Sequence, residues 1–337
     1  MPSLRRWLER QPLAPMGVIG LALGASVGAG ALWALGAWLG GLVCLMLVGL
    51  ATALSWGTEP VLEVAIESPY EQPPASPQGP PAIRNKPFVV EDIPGWLRMV
   101  ELPGGTFWMG SEETDIEKPR HRVTVSDFAM MQTPVTRSLF RRVLGDQAGP
   151  EEWHENADEG GLPANNVSWF EAIDFCNALS ELQGLPPCYQ RDGKSVTWNH
   201  EANGYRLATE AEWEYACRAG TDSRWFCGDD PGALADYAWF DKGWDEGPYP
   251  VAQKMPNPWG IHDMAGNVWE WCWDWNGFYA KESQSNPAGP QEGDYRSLRG
   301  GSWNGPAVSL RSADRNWVRP NLRYWNRGCR CVRAPRR

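Results

Sequence analysis

Residues Asn257 to Trp275 read NPWGIHDMAGNVWEWCWDW, and five of these nineteen positions are tryptophan. Their polar groups do not follow the 3.6-residue spacing of an amphipathic helix, and as a whole the stretch matches no ordinary strand pattern. A chain carrying it has to seat many large rings in irregular backbone. That constraint points to a loop-rich fold pinned by buried aromatic side chains. The rest of the chain agrees, with 21 Trp, 36 Gly and 29 Pro among 337 residues.

The amino-terminal part is of another kind. From Met16 to Trp56 no residue is charged, and as one helix this run would be roughly twice as long as a ~30 Å hydrocarbon core. Two membrane spans fit it better, near Met16 to Leu35 and Leu39 to Leu54, with Trp38, Gly40 and Gly41 at the turn. A single span with an interfacial stretch is the alternative. Residues 1–15 form a basic tail whose Arg5, Arg6 and Arg10 favour a cytoplasmic amino terminus. A hairpin then returns the following domain to the cytoplasm and a single span exports it, so the side stays open. A bacterial inner membrane is the expected location. Residues 57–88 form a linker containing SPYEQPPASPQGPP, an extended tether, and residues 89–337 form one large domain. The net charge of -10 argues against a nucleic-acid partner.

Regular elements are few. Ser168 and Glu171 make a capping box ahead of AIDFCNALSEL, and Thr209 and Glu212 make another ahead of AEWEYACRAG, which Gly220 ends. Gly104 to Ser111 and Arg122 to Met130 alternate like short strands. Asp192-Gly193 reads as the turn of a hairpin within Cys188 to Asn203. These residues by themselves establish a mixed, loop-rich α and β domain.

Four stretches carry more: GGTFWMGS (Gly104 to Ser111), LATEAEWEYACRAGT (Leu207 to Thr221), the Asn257 to Trp275 segment, and RGGSWN (Arg299 to Asn304). In this order, from about Met99 to Arg333, the chain resembles the formylglycine-generating enzyme, or sulfatase-modifying factor, family. The resemblance implies an α+β, C-type-lectin-like fold. It also implies a structural calcium ion held by the carboxylates of Asp263 and Glu270 and the backbone carbonyls of Gly266 and Val268. Hard oxygens suit that ion, and a purely hydrogen-bonded turn is the alternative. The resemblance implies that Cys176 and Cys331 stand where enzymes of the family can carry a disulfide, whereas the residues alone read as buried free thiols.

The family's oxidase holds copper with two cysteines shortly after its GGS motif. Here Gly305 and Leu310 stand at those positions, and no cysteine lies between Cys272 and Cys329. Neither side chain replaces a thiolate for soft Cu(I), so formylglycine-generating oxidation is not expected and copper is not an expected cofactor. The four histidines have no spacing suited to an iron site.

Nine arginines follow Leu310, interleaved with Trp317, Tyr324 and Trp325. Arginine beside aromatic rings binds carboxylate or phosphate, or pairs internally with the acidic remainder. Arg311, Arg315 and Trp317 are therefore candidate ligand contacts. The resemblance adds Ser302, which matches a polar residue beside the family oxidase's oxygen-binding centre, and Trp303 is placed to line a groove beside it. Turn formation, core packing and internal pairing are the structural alternatives. The expectation is a membrane-tethered, non-copper member of the family acting as a binding or regulatory module for a protein or peptide. An enzyme of different chemistry on this scaffold, or a ligand-binding variable protein of a diversity-generating retroelement, are the alternatives.

Overall fold

The computed structural model describes residues 87–154 and 161–335, all within the unit Pro74–Arg337. The expected basic tail, membrane spans and all but the end of the linker lie outside the described residues. Among the described residues, no helix is long and apolar enough to cross a membrane.

The central sheet is built from β1 (Phe88–Ile93), β2 (Leu97–Leu102), β5 (Phe128–Met131), β14 (Cys331–Arg333) and β8 (Arg206–Leu207), antiparallel throughout, in the order β1-β2-β5-β14-β8. Its strands show little polar alternation because both faces are buried. Leu97, Met99, Ala129, Met131 and Cys331 enter one core, while Val100, Leu102, Phe128, Met130 and Val332 enter a second core on the opposite face. Helix α1 (Arg137–Leu144) and helix α2 (Trp169–Leu182) contribute to the first core and α3 (Glu210–Arg218) to the second.

Both expected capping boxes form. Ser168 accepts from the Glu171 amide at 3.3 Å, and Glu171 accepts from the Ser168 amide at 2.9 Å; Thr209 and Glu212 repeat the exchange. Helix α3 stops at Ala219, which is left-handed at φ 47°, one residue before Gly220. Helix α1 went unread in the sequence. Thr136 caps it, and Leu139 and Phe140 are its buried apolar side chains. The hairpin of β6 (Tyr189–Asp192) and β7 (Ser195–Trp198) turns on Gly193 and Lys194, with Asp192 paired to Ser195. The expected turn was one residue too early.

A three-stranded sheet has the order β10-β4-β3, from β3 (Gly105–Met109), β4 (His121–Val125) and β10 (Gln284–Ser285). The remaining sheet carries the candidate site. It has the order β12-β11-β9-β13, from β9 (Trp269–Trp275), β11 (Arg296–Arg299), β12 (Asn316–Val318) and β13 (Arg327–Cys329). The seven residues WEWCWDW thus form a strand, against the expectation of no strand pattern. Trp269, Trp271 and Trp273 pack against the first core. The intervening Glu270 and Asp274 face other buried polar groups instead of water, and this second interior is what hid the alternation.

Candidate functional site

The loop leaving β11 begins with Gly300 and Gly301, both left-handed at φ 98° and 77°. A Cβ on Gly301 would meet the Leu310 side chain at 2.5 Å and the Ser309 carbonyl at 2.8 Å, so glycine is required there. The paired glycines deliver Ser302 to a tight turn, closed by the Gly305 amide donating to the Ser302 carbonyl at 2.9 Å. Trp303 is then tied to the Asn257 to Trp275 segment, its amide donating to the Asn267 carbonyl at 2.9 Å.

At this turn three polar side chains converge from two loops. The Ser302 hydroxyl donates to Asn304 Oδ1 at 2.8 Å, and Asn326 Nδ2 reaches both Ser302 Oγ and Asn304 Oδ1 at 3.3 Å. Asn326 comes from the residue preceding β13. The Trp303 indole is fully buried, and its Nε1 has no hydrogen-bond partner. Trp325 lies 6.2 Å from the Trp303 ring, edge-on, and Trp244 lies 5.0 Å from Trp325. Trp244 and Trp325 are 58% and 43% exposed, so they give the polar cluster an accessible aromatic rim. Ser302 and the Trp303 indole are themselves buried, so the accessible part of the arrangement is its aromatic rim, which suits flat or apolar ligand groups.

Of the residues expected at a site, Ser302 and Trp303 are brought together. Arg311 and Arg315 are not free for a ligand. Arg311 donates to both Glu117 oxygens at 2.8 and 2.7 Å, and Arg315 donates to both Glu210 oxygens at 3.1 and 2.6 Å. Both guanidinium groups are buried. Burial pushes the Glu117 carboxyl up, but hydrogen bonds from Arg311, Ser111 and Thr114 together with the Arg311 charge outweigh it and hold Glu117 below its ordinary value. The arginine run is largely consumed the same way: Arg323 pairs with Glu171, Arg330 with Glu270, and Arg333 with Asp92 and Glu101. Arg327 differs. It stacks on Tyr324 at 3.7 Å with its Nε and Nη1 unpartnered, and burial lowers its pKa to about 10. Trp317 stands exposed on the edge strand β12, opposite Ser297, and shares no hydrogen bond or ring contact with Ser302 among the described residues. Asn304, Asn326, Trp244 and Trp325 were not read as site residues. Two of them are asparagines, whose roles appear only when separate loops meet.

The comparison with known families decides the scaffold. The model of the sulfatase-modifying factor enzyme 1-like domain matches residues 92–335. The chain belongs to this family. It is 33% identical over 237 residues to the chaperone protein LppX of Paenibacillus barcinonensis, a match covering 61% of this chain and 78% of that protein. It is 31% identical to the formylglycine-generating enzyme of Streptomyces coelicolor, covering 69% of this chain and 88% of the enzyme. It is also 33% identical to the serine/threonine-protein kinase pkn1 of Chlamydia caviae, matching with 73% of its own length but spanning only 39% of the kinase. Among solved structures, Treponema denticola variable protein 1 superposes with a TM-score of 0.64 at 28% identity, over 74% of this chain and 99% of that one.

The family's metals can be tested against these residues. Gly305 offers no donor side chain, and Leu310 is buried in the second core against Gly301, so these positions do not fit copper. The calcium set fits no better. Glu270 accepts from Arg330 through both oxygens, at 2.7 to 3.1 Å, and from the Trp213 indole at 2.7 Å. A cation there would meet a guanidinium. Asp263 is held by the Ala252 amide at 2.8 Å and by Asn267 at 3.3 Å, and burial raises its pKa against the pull of these partners and of Arg330. The Gly266 amide donates to the Gly300 carbonyl and Val268 is buried. The Gly266 amide and the Asn267 carbonyl of this segment hold the loop that follows β11. No group of three or more His, Cys, Asp or Glu among the described residues is gathered for a metal. Cys176 and Cys331 are buried free thiols with their sulfurs 3.5 Å apart, adjacent at the positions the resemblance implied.

Proposed function

We propose that this family member binds a protein or peptide segment at the Ser302 turn instead of oxidising a cysteine. One observation carries the reading: the turn is intact, with Ser302, Asn304 and Asn326 in mutual hydrogen bonds, while glycine and buried leucine occupy the two copper-ligand positions. The scaffold keeps a polar centre with an aromatic rim and lacks the thiolates that would make it reactive toward oxygen. A relative named as a chaperone accords with binding, since a chaperone holds another polypeptide. In this reading residues 16–56 tether the domain to a bacterial inner membrane, so the ligand is met close to the bilayer.

The test is a selection of displayed random peptides against the full-length protein, followed by binding to Ser302→Ala, Asn326→Ala and Trp325→Ala variants. Enriched peptides should lose at least tenfold in affinity with each variant, in line with loss of a buried hydrogen bond or an aromatic anchor. Peptides that bind all three variants as well as the parent would place the ligand face elsewhere.

A further inference from the structure

Residues 241–249 cross over the Ser302 turn as a strap fastened at both ends. At one end the Asp241 amide donates to the Gly305 carbonyl and the Lys242 amide to the Trp303 carbonyl, each at 2.9 Å. At the other, Tyr249 and Asn267 exchange two hydrogen bonds of 3.2 and 3.0 Å. The stretch between bonds mainly to itself: the Glu246 amide donates to the Gly243 carbonyl at 3.1 Å, and the Glu246 carboxylate accepts from the Gly243 amide at 2.7 Å and the Tyr249 hydroxyl at 3.1 Å. Its tip, Gly243 to Glu246, is exposed.

Two contacts hold the middle of the strap down. Trp244 leans on Trp325 at 5.0 Å, both rings remaining substantially exposed. Gly247 lies flat on Trp303, so closely that a Cβ there would stand 2.9 Å from the pyrrole carbons Cγ and Cδ1. The nitrogen beside Cδ1 is the indole Nε1, buried and without an acceptor. A buried donor left unpaired is costly.

We propose that residues 241–249 are a lid, that it lifts by separating Trp244 from Trp325, and that lifting presents the Trp303 indole N–H and the Ser302 cluster to an acceptor oxygen such as a peptide carbonyl. The inference rests on the binding site proposed above but not on any particular ligand. An aromatic pair between two exposed side chains is a weak latch, and the self-contained strap can move without breaking sheet hydrogen bonds. Openings of this kind cost less than global unfolding. The indole N–H is a donor only, which sets the ligand group it can meet.

Hydroxyl-radical footprinting of the full-length protein, read by tandem mass spectrometry, tests this without a ligand. Trp244→Ala, which removes the latch without touching the ring that packs on Trp303, should raise oxidation of Trp303 several-fold, up to about tenfold, the order expected from losing one aromatic pair. Trp213 and Trp271, buried elsewhere in the domain, should stay protected. Unchanged Trp303 reactivity in Trp244→Ala would overturn the lid. So would a parallel rise at Trp213 and Trp271, which would make the Trp244 contact a general brace. A lid that passes this test over a turn that selects no peptide would leave the inference standing and remove the function proposed for the site.

Discussion

Single residues in this domain act mainly through buried charge. Glu214 lies at the centre, fully buried, accepting from the Gly110 amide at 2.9 Å, from Arg218 at 2.9 Å and from the equally buried Arg299. Glu214→Gln leaves two guanidinium groups without their anion. It should lower unfolding stability by about 3 to 5 kcal/mol, measured by urea denaturation; a loss below about 1 kcal/mol would mean that water or a neighbouring carboxylate takes over. Asp314 works in the opposite sense. Burial raises its carboxyl to about 6 despite Arg311 beside it, so the folded state holds this proton more tightly than the unfolded chain does. The stabilisation is complete below about pH 4 and is lost as pH rises through 6. Asp314→Asn does not titrate, so between pH 4 and pH 7 its stability relative to the parent should climb by on the order of 2 kcal/mol. A flat difference across that window would show that Asp314 is not the titrating group.

At the scale of elements, the helices were the most legible part of the sequence. A capping box is local chemistry written within four residues, and Ser168 and Thr209 therefore announced α2 and α3. Each cap should matter on its own: Ser168→Ala and Thr209→Ala are expected to cost about 1 kcal/mol apiece in thermal or urea unfolding. The strand β9 was illegible for a physical reason. Glu270 and Asp274 alternate with tryptophans, and such residues normally face water; here Glu270 meets Arg330 and Trp213, and Asp274 accepts from the Glu210 amide at 2.9 Å. Those partners lie 57 to 64 residues away in sequence, beyond the reach of any local pattern. The same distance separates what was read correctly at the site from what was missed. Ser302 and Trp303 sit in a recognisable motif, but Asn326 joins them across 22 to 24 residues, and Trp244 reaches Trp325 from a different loop. The carboxy-terminal arginines were visible as a run, yet only the fold shows that most of them are pinned by carboxylates from distant segments.

At the scale of the whole molecule, the domain joins two cores across one antiparallel sheet and threads buried ion pairs between loops, leaving an exposed aromatic rim at the Ser302 turn. Its family resemblance was legible because four motifs keep their order over most of the chain. The chemistry was legible only in part, because a missing pair of thiolates says what the turn does not hold, while what it does hold depends on three loops meeting. On the proposed reading this scaffold binds a ligand at the turn and does not carry out copper oxidation. That claim is tested most directly by supplying the full-length protein with Cu(I), oxygen and cysteine-containing peptides, then weighing the peptides by mass spectrometry. The peptides should keep the mass of the thiol, apart from oxidation that also occurs without the protein. Repeated turnover to formylglycine, with copper retained by the chain, would contradict the claim and require a copper site outside Gly305 and Leu310.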